Sequence, residues 1–151
     1  MDITGGTRIR LAPEDEQTHP IEEARNYNES VYINLFDPLQ RMGGWFRIGN
    51  RPNEGHAEVS RCVYLPDGSV GFLYGRPRIS GNDAFAADGL ELAVLEPFRR
   101  IRLTYEGKVC LLADPHQMED PRRAFETNPM VDCSIDPVSY THLTLPTICS
   151  V

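Results

Sequence analysis

Between Asn28 and Asp114 the chain alternates in polarity. In ESVYINLF, Val31, Ile33 and Leu35 take one parity and Tyr32, Asn34 and Phe36 the other, the period of a strand whose two faces meet different surroundings. DPLQRMGG interrupts the pattern, because Pro38 has no amide hydrogen for a ladder and Gly43 and Gly44 admit positive φ. MGGWFRIGN predicts a second strand. After NRPNEG, HAEVSRCVYL alternates again, with Ala57, Val59 and Val63 against His56, Glu58, Ser60, Cys62 and Tyr64. PDGS has the composition of a tight turn, and VGFLYGR is the fourth strand. RPRISGNDAFAADG reads as a loop. LELAVLEP, FRRIRLTYEG and KVCLLAD then predict three more strands, the last two joined by a turn at Glu106-Gly107.

These segments amount to about seven strands in roughly ninety residues, with nothing long enough to serve as a crossover helix between parallel neighbours. The expected fold is mainly β, an antiparallel meander that closes into a barrel or bends strongly, since an open meander of this size leaves exposed edges. One short helix is expected near residues 120 to 127, capped by Asp120, opened by Pro121 and stopped before Pro129. Residues 1 to 26 are polar and aperiodic, and PEDEQTHPIEE within them suits a flexible lead-in or one short helix. The ordered domain is expected over residues 27 to 137.

Composition narrows the function classes. The 151 residues carry 15 basic and 22 acidic side chains, a formal charge of −7, and Lys108 is the sole lysine. That balance argues against broad electrostatic attachment to nucleic acid or anionic lipid. No apolar run has the length of a signal-peptide core or a membrane helix, so no membrane span is expected and the cytoplasm is the default compartment. Cys62, Cys110, Cys133 and Cys149 are scattered without ligand spacing and read as small apolar residues.

Residues 138 to 151, VSYTHLTLPTICSV, are uncharged and unlike the charged body before them. Reverse-translated, Val138 to Thr147 can be written as the read-through adapter of a transposase-based sequencing library. The expectation is therefore a non-native tail after Pro137 and a truncated protein, with no role for His142 or Cys149. Such a tail can still add to a sheet edge, because edge pairing needs only β-propensity.

Candidate chemistry clusters on the first three strands. Tyr32 and Asn34 share one face, Trp45 and Arg47 one face of the next strand, and Glu58 and Tyr64 one face of the third. Turned into a barrel, these six would line a ligand cavity with a few orienting polar groups; in the plainer reading Trp45 is core and Arg47 pairs with a surface carboxylate. Glu54, His56 and Glu58 alternate as metal ligands can, but a solvated strand face shows the same pattern, and no metal is assigned. GNDAFAADG lacks the strand-to-helix setting of a phosphate cradle, although Asn82 and Asp83 could hang over a barrel mouth. With no GxSxG, Walker loop or GxGxxG, no cofactor is expected.

NESVYINLFDPLQRMGGWFRIGNRPNEGHAEVSRCVYLPDGSVGF together with NDAFAADGLELAVLEPFRRIRLTYEGKVCLLADPHQMEDPRRAF resembles the N-terminal part of an uncharacterised bacterial protein family whose members are longer than this chain. That family is distantly similar to the two-barrel lipocalin-like group that includes carotenoid 1,2-hydratase. The resemblance covers about residues 26 to 137 and implies a lipocalin-like (calycin-like) first barrel, a missing C-terminal barrel as partner, and a hydrophobic, terpenoid-like or polyketide-like ligand. No catalytic residue carries over. The whole protein would be a lyase or isomerase, with Tyr32, Arg47 and Glu58 orienting or protonating the substrate, or a non-catalytic carrier, or a half-domain that docks its missing partner.

Overall fold

A computed structural model describes residues 11–140. It contains one antiparallel sheet of nine strands curled into a half-barrel, and one short helix. The strands are β1 (Glu29–Asp37), β2 (Met42–Arg51), β3 (His56–Tyr64), β4 (Val70–Gly75), β5 (Phe85–Ala87), β6 (Leu90–Glu96), β7 (Arg100–Leu112), β8 (Met130–Ile135) and β9 (Val138–Tyr140), with helix α1 (Pro121–Thr127) between β7 and β8. The four strands expected from Glu29 to Gly75 pair consecutively, and α1 stands where its cap signals put it, with the Asp120 carboxylate accepting from Arg123 N.

Three features depart from the sequence pattern. The stretch read as a loop contains β5, which forms a two-residue hairpin with β6 around Asp88 and Gly89, both at positive φ (51° and 78°). The Asp-Gly pair is the signature of such a turn. Second, Glu106-Gly107 is not a turn: β7 runs straight through it, because Glu106, Gly107 and Lys108 find ladder partners in Ser134, Cys133 and Asp132 of β8. Gly107 serves a neighbour instead. A Cβ there would meet the Tyr105 hydroxyl, which folds back to donate to Lys108 O at 2.7 Å. Third, β8 and β9 enlarge the sheet, and β9 pairs with Arg100–Arg102 of β7, an edge addition of the kind the terminal segment permits.

The curl follows from β7. Tyr105 pairs with both Leu90 of β6 and Ile135 of β8, and Cys110 with both Phe72 of β4 and Met130 of β8. Since β8 runs along one edge, β4 and β6 must share the other, and the sheet divides there into two branches. The branches bend toward each other until β5 reaches β2, where the buried Asn50 amide donates to Asn82 Oδ1 (2.8 Å) and Ala84 O (2.9 Å). Between them lies the main core: Ile33, Phe46, Ile48, Val59 and Val63 from the first branch against Phe85, Leu90, Leu92, Leu103 and Tyr105. A second, smaller cluster forms on the outer face, where α1 lays Ala124 and Phe125 over Cys110, Leu112 and Phe72.

The segment before β1 is stitched to this body. A 3-10 turn spans Pro13–Glu16, Glu16 accepts from Phe98 N (2.6 Å), and Asn53 donates to the carbonyls of Glu22 (2.8 Å) and Ala24 (2.9 Å). Among the described residues no helix is long and apolar enough to cross a membrane.

Candidate functional site

The half-barrel is open where β1 and β8 face each other, for neither has a second ladder partner among the described residues. A cleft of about 630 Å³ occupies that opening, within the usual size of a small-molecule site. Its walls are inward positions: Leu35 of β1, Met42 and Phe46 of β2, Val63 and Leu65 at the end of β3, and Ile135 of β8. Gly44 stands among them, and a Cβ there would run into the Cys62 carbonyl, so the ladder between β2 and β3 requires glycine. The rim is acidic, but its carboxylates are already engaged. Asp136 is gripped by Arg102 through two bonds of 2.7 and 2.6 Å, which hold it below the usual carboxylate range; Asp132 takes Lys108 Nζ at 2.8 Å; Asp37 Oδ1 accepts from Leu39 N and Gln40 N. Cys133, on the wall, has its thiol pushed up by burial and by the Glu106 charge, which keeps it protonated and unreactive.

The six residues singled out in the sequence are brought together, but on the other face. Register pairs Tyr32 with Arg47, Asn34 with Trp45, Gly43 with Tyr64 and Gly49 with Glu58, so all six project from one side of the sheet. That side is opposite to Ile33, Phe46, Ile48, Val59 and Val63. The parity of β1 settles it: Val31, Ile33 and Leu35 have the core to fill, which leaves Tyr32, Asn34 and Phe36 outside, with Tyr32 55% and Phe36 73% exposed. Trp45 is half-buried between Tyr32 and Phe72 at ring separations of 6.0 and 6.1 Å. Arg47 pairs with Glu58 at 3.4 Å.

At the far end of the half-barrel a polar network gathers around Glu29, whose carboxylate accepts from His19 N, the His19 ring, Asn82 Nδ2 and the Tyr27 hydroxyl. Burial works to raise the Glu29 pKa, and the bonds from Asn82 and His19 outweigh it, so it sits below the usual 4.5. The same contact raises His19 above 6.5. Asn82, a residue flagged in the sequence, is thus buried in this network rather than free at a mouth. His19, Tyr27 and Glu29 gave no signal in periodicity, since they meet only when the lead-in folds back. Glu29 supplies stability above its ordinary pKa that is lost as pH falls through its lowered one. His19 supplies stability below 6.5 that is lost as pH rises through its raised one. Thermal melts across pH are therefore expected to peak between about 4.5 and 6.5 for this pair, and Glu29→Gln to remove both slopes. Unchanged slopes in the variant would refute the pairing.

Glu54, His56 and Glu58 do not form a ligand set. Glu58 is surrounded by guanidinium groups, and among the described residues no three His, Cys, Asp or Glu side chains converge as metal ligands. Cys62 and Cys110 are buried, their thiols pushed up by desolvation, and Cys149 and His142 lie outside the described residues.

A curled antiparallel half-barrel with an apolar cleft at its open seam defines this chain as a mainly β domain with one enclosed face. It belongs to the family described as Domain of unknown function (DUF7064), whose model matches residues 12–144, from the stitched lead-in to beyond Pro137. No curated protein and no solved structure matches the chain.

Proposed function

We propose that the cleft between β1 and β8 binds a hydrophobic small molecule, and that the domain holds this ligand without transforming it. The observation carrying the reading is the cleft's lining. Leu35, Met42, Phe46, Val63, Leu65 and Ile135 turn carbon toward a space large enough for a ligand of terpenoid-like or polyketide-like size. Burying such a molecule there removes apolar surface on both sides from water. Carriage is favoured over chemistry because the rim carboxylates are already engaged, Asp136 by Arg102, Asp132 by Lys108 and Asp37 by backbone amides, and the wall thiol of Cys133 is held protonated. General acid–base work needs an acid and a base free to exchange a proton with the substrate. A role as one half of a larger lyase or isomerase would require such groups to arrive from another part of the protein.

The neutral probe N-phenyl-1-naphthylamine tests this. Its fluorescence is expected to rise on binding, and Leu65→Asp, which places a charge on the apolar wall, is expected to weaken binding about tenfold or more. Tyr32→Ala, on the opposite face, should leave probe binding unchanged. Failure of the folded wild-type protein to bind, or equal binding by Leu65→Asp, would overturn the assignment.

A further inference from the structure

The outer face of β1 to β4 carries a second surface that the cleft does not explain. Tyr32, Trp45 and Phe72 follow one another across the strands at centroid spacings of 6.0 and 6.1 Å, and Phe125 of α1 continues the row at 6.2 Å. The helix covers the Phe125 end. The Tyr32 end is open, its ring tilted only 30° from Trp45, with Tyr64 and Tyr74 exposed on either side. Monomeric proteins seldom present so many aromatic rings in one contiguous patch without a use for them.

Charge marks the same face. In a chain of formal charge −7, four guanidinium groups and two carboxylates gather toward the β2–β3 turn, with Arg76 5.8 Å from the centre of the Tyr74 ring. Arg47, Arg51 and Arg76 all reach for the single carboxylate of Glu58, at 3.4, 3.6 and 3.3 Å, and Arg51 also holds Glu54 at 2.9 Å. Arg76 and Arg78 line an open cleft of about 460 Å³ with Glu54 and His56. Arg51 Nε is buried, and the carboxylate it faces, Glu58 Oε1 at 3.6 Å, lies just beyond hydrogen-bond distance. Gly49 lies beneath the Arg47 guanidinium: a Cβ there would come to 2.8 Å from Nη2, and that mobile end of the side chain would have to shift.

We propose that this face binds an acidic carbohydrate chain. Sugar rings offer an apolar C–H surface that stacks on aromatic faces, and a cross-strand row of rings suits a linear chain of such units. Hydroxyls match the Asn34 amide, whose Oδ1 already accepts from the Tyr32 hydroxyl at 2.9 Å, and a carboxylate or sulfate group matches the fork of an arginine, which would exchange part of its contact with Glu58 for the ligand. A wholly apolar ligand would leave the arginines desolvated without a partner. A second copy of this face would set like charge against like charge. An extended peptide has its natural docking place at a strand edge rather than across the middle of a sheet.

Trp45 is the only tryptophan and so reports on this face alone. Titration with heparin, as a sulfated chain, and with polygalacturonate, as a uronate chain, is expected to change Trp45 emission for at least one of them. The one that binds identifies the anionic group. Tyr32→Ala should weaken that binding about tenfold. Arg47→Ala and Arg76→Ala should each weaken it and lower its salt dependence. A neutral xylan chain should bind far less well. No emission change with either acidic chain, full affinity in Tyr32→Ala, or equally tight binding of poly-glutamate would each overturn the proposal, the last in favour of an acidic peptide. Leu65→Asp should leave glycan binding intact, so this surface and the seam cleft stand or fall separately.

Discussion

Replacing Gly89 with alanine is expected to lower the stability of the domain by about 3 kcal/mol or more, a large part of what a domain of this size has to lose. Two independent costs combine. Gly89 sits at φ 78°, where an L residue with a Cβ is strained by roughly 1–2 kcal/mol. In addition, the new Cβ would fall well inside contact distance of the Glu106 carbonyl oxygen, part of rigid β7 backbone. Glu106 N donates to Gly89 O at 3.1 Å, so the hairpin cannot lift away without giving up that bond and disturbing the pairing of Leu90 with Tyr105. Gly55 is the matched comparison: its φ of 76° is nearly the same, but a Cβ there meets nothing within 4 Å. Gly55→Ala should therefore cost only the backbone strain, about 1–2 kcal/mol. Urea unfolding of both variants measures the difference, and equal midpoints would show that the contact with β7 carries no weight.

The second large effect concerns Arg61. Among the described residues it is the bulkiest fully buried side chain, 0% exposed, and points into the core from β3 between Val59 and Val63. Its Nη2 donates to Asp88 Oδ2 (2.5 Å) and Asp88 O (2.6 Å), and the guanidinium lies 5.0 Å from the centre of the Tyr105 ring, while Nε and Nη1 have no partner. Asp88→Asn keeps a residue that tolerates positive φ but removes the countercharge. It is expected to destabilise by about 2–3 kcal/mol, the lower side of the range for breaking a buried pair, because Asp88 is itself 48% exposed and water screens it. Arg61→Met removes the charge together with its unsatisfied donors and keeps most of the volume. That variant is expected to be as stable as the wild type or more so. If Arg61→Met proved the more damaging of the two in urea unfolding, the guanidinium would be better satisfied than its geometry indicates.

Arg61 also shows where periodicity stops being informative. In HAEVSRCVYL it occupies the parity of Ala57, Val59 and Val63, so the alternation assigns it to the core, yet its charge belongs outside. The conflict resolves through Asp88, twenty-seven residues away along the chain, in a stretch that the sequence pattern read only as a loop. Tyr32, Asn34, Trp45, Arg47, Glu58 and Tyr64 illustrate the complementary limit. That they share a face was legible, because antiparallel register preserves parity from strand to strand. Which face they share was not: aromatic rings and arginine stems suit a cavity wall and an exposed platform equally well.

Local chemistry alone determined the mainly β class, the first four strands, the Asp120-capped helix and the parity of every side chain on them, because these depend on the pleat, on capping and on where proline and glycine interrupt the ladder. The tertiary structure decided the rest. It carried β7 through Glu106 and Gly107 by offering them β8, and branched the sheet by placing β4 and β6 on one edge. It also turned the aliphatic parity of β1 to β3 inward, leaving the aromatic and arginine parity outside. Each of those outcomes rests on a contact between residues far apart in the chain, and a pattern of neighbours along one strand carries no information about what will cover it.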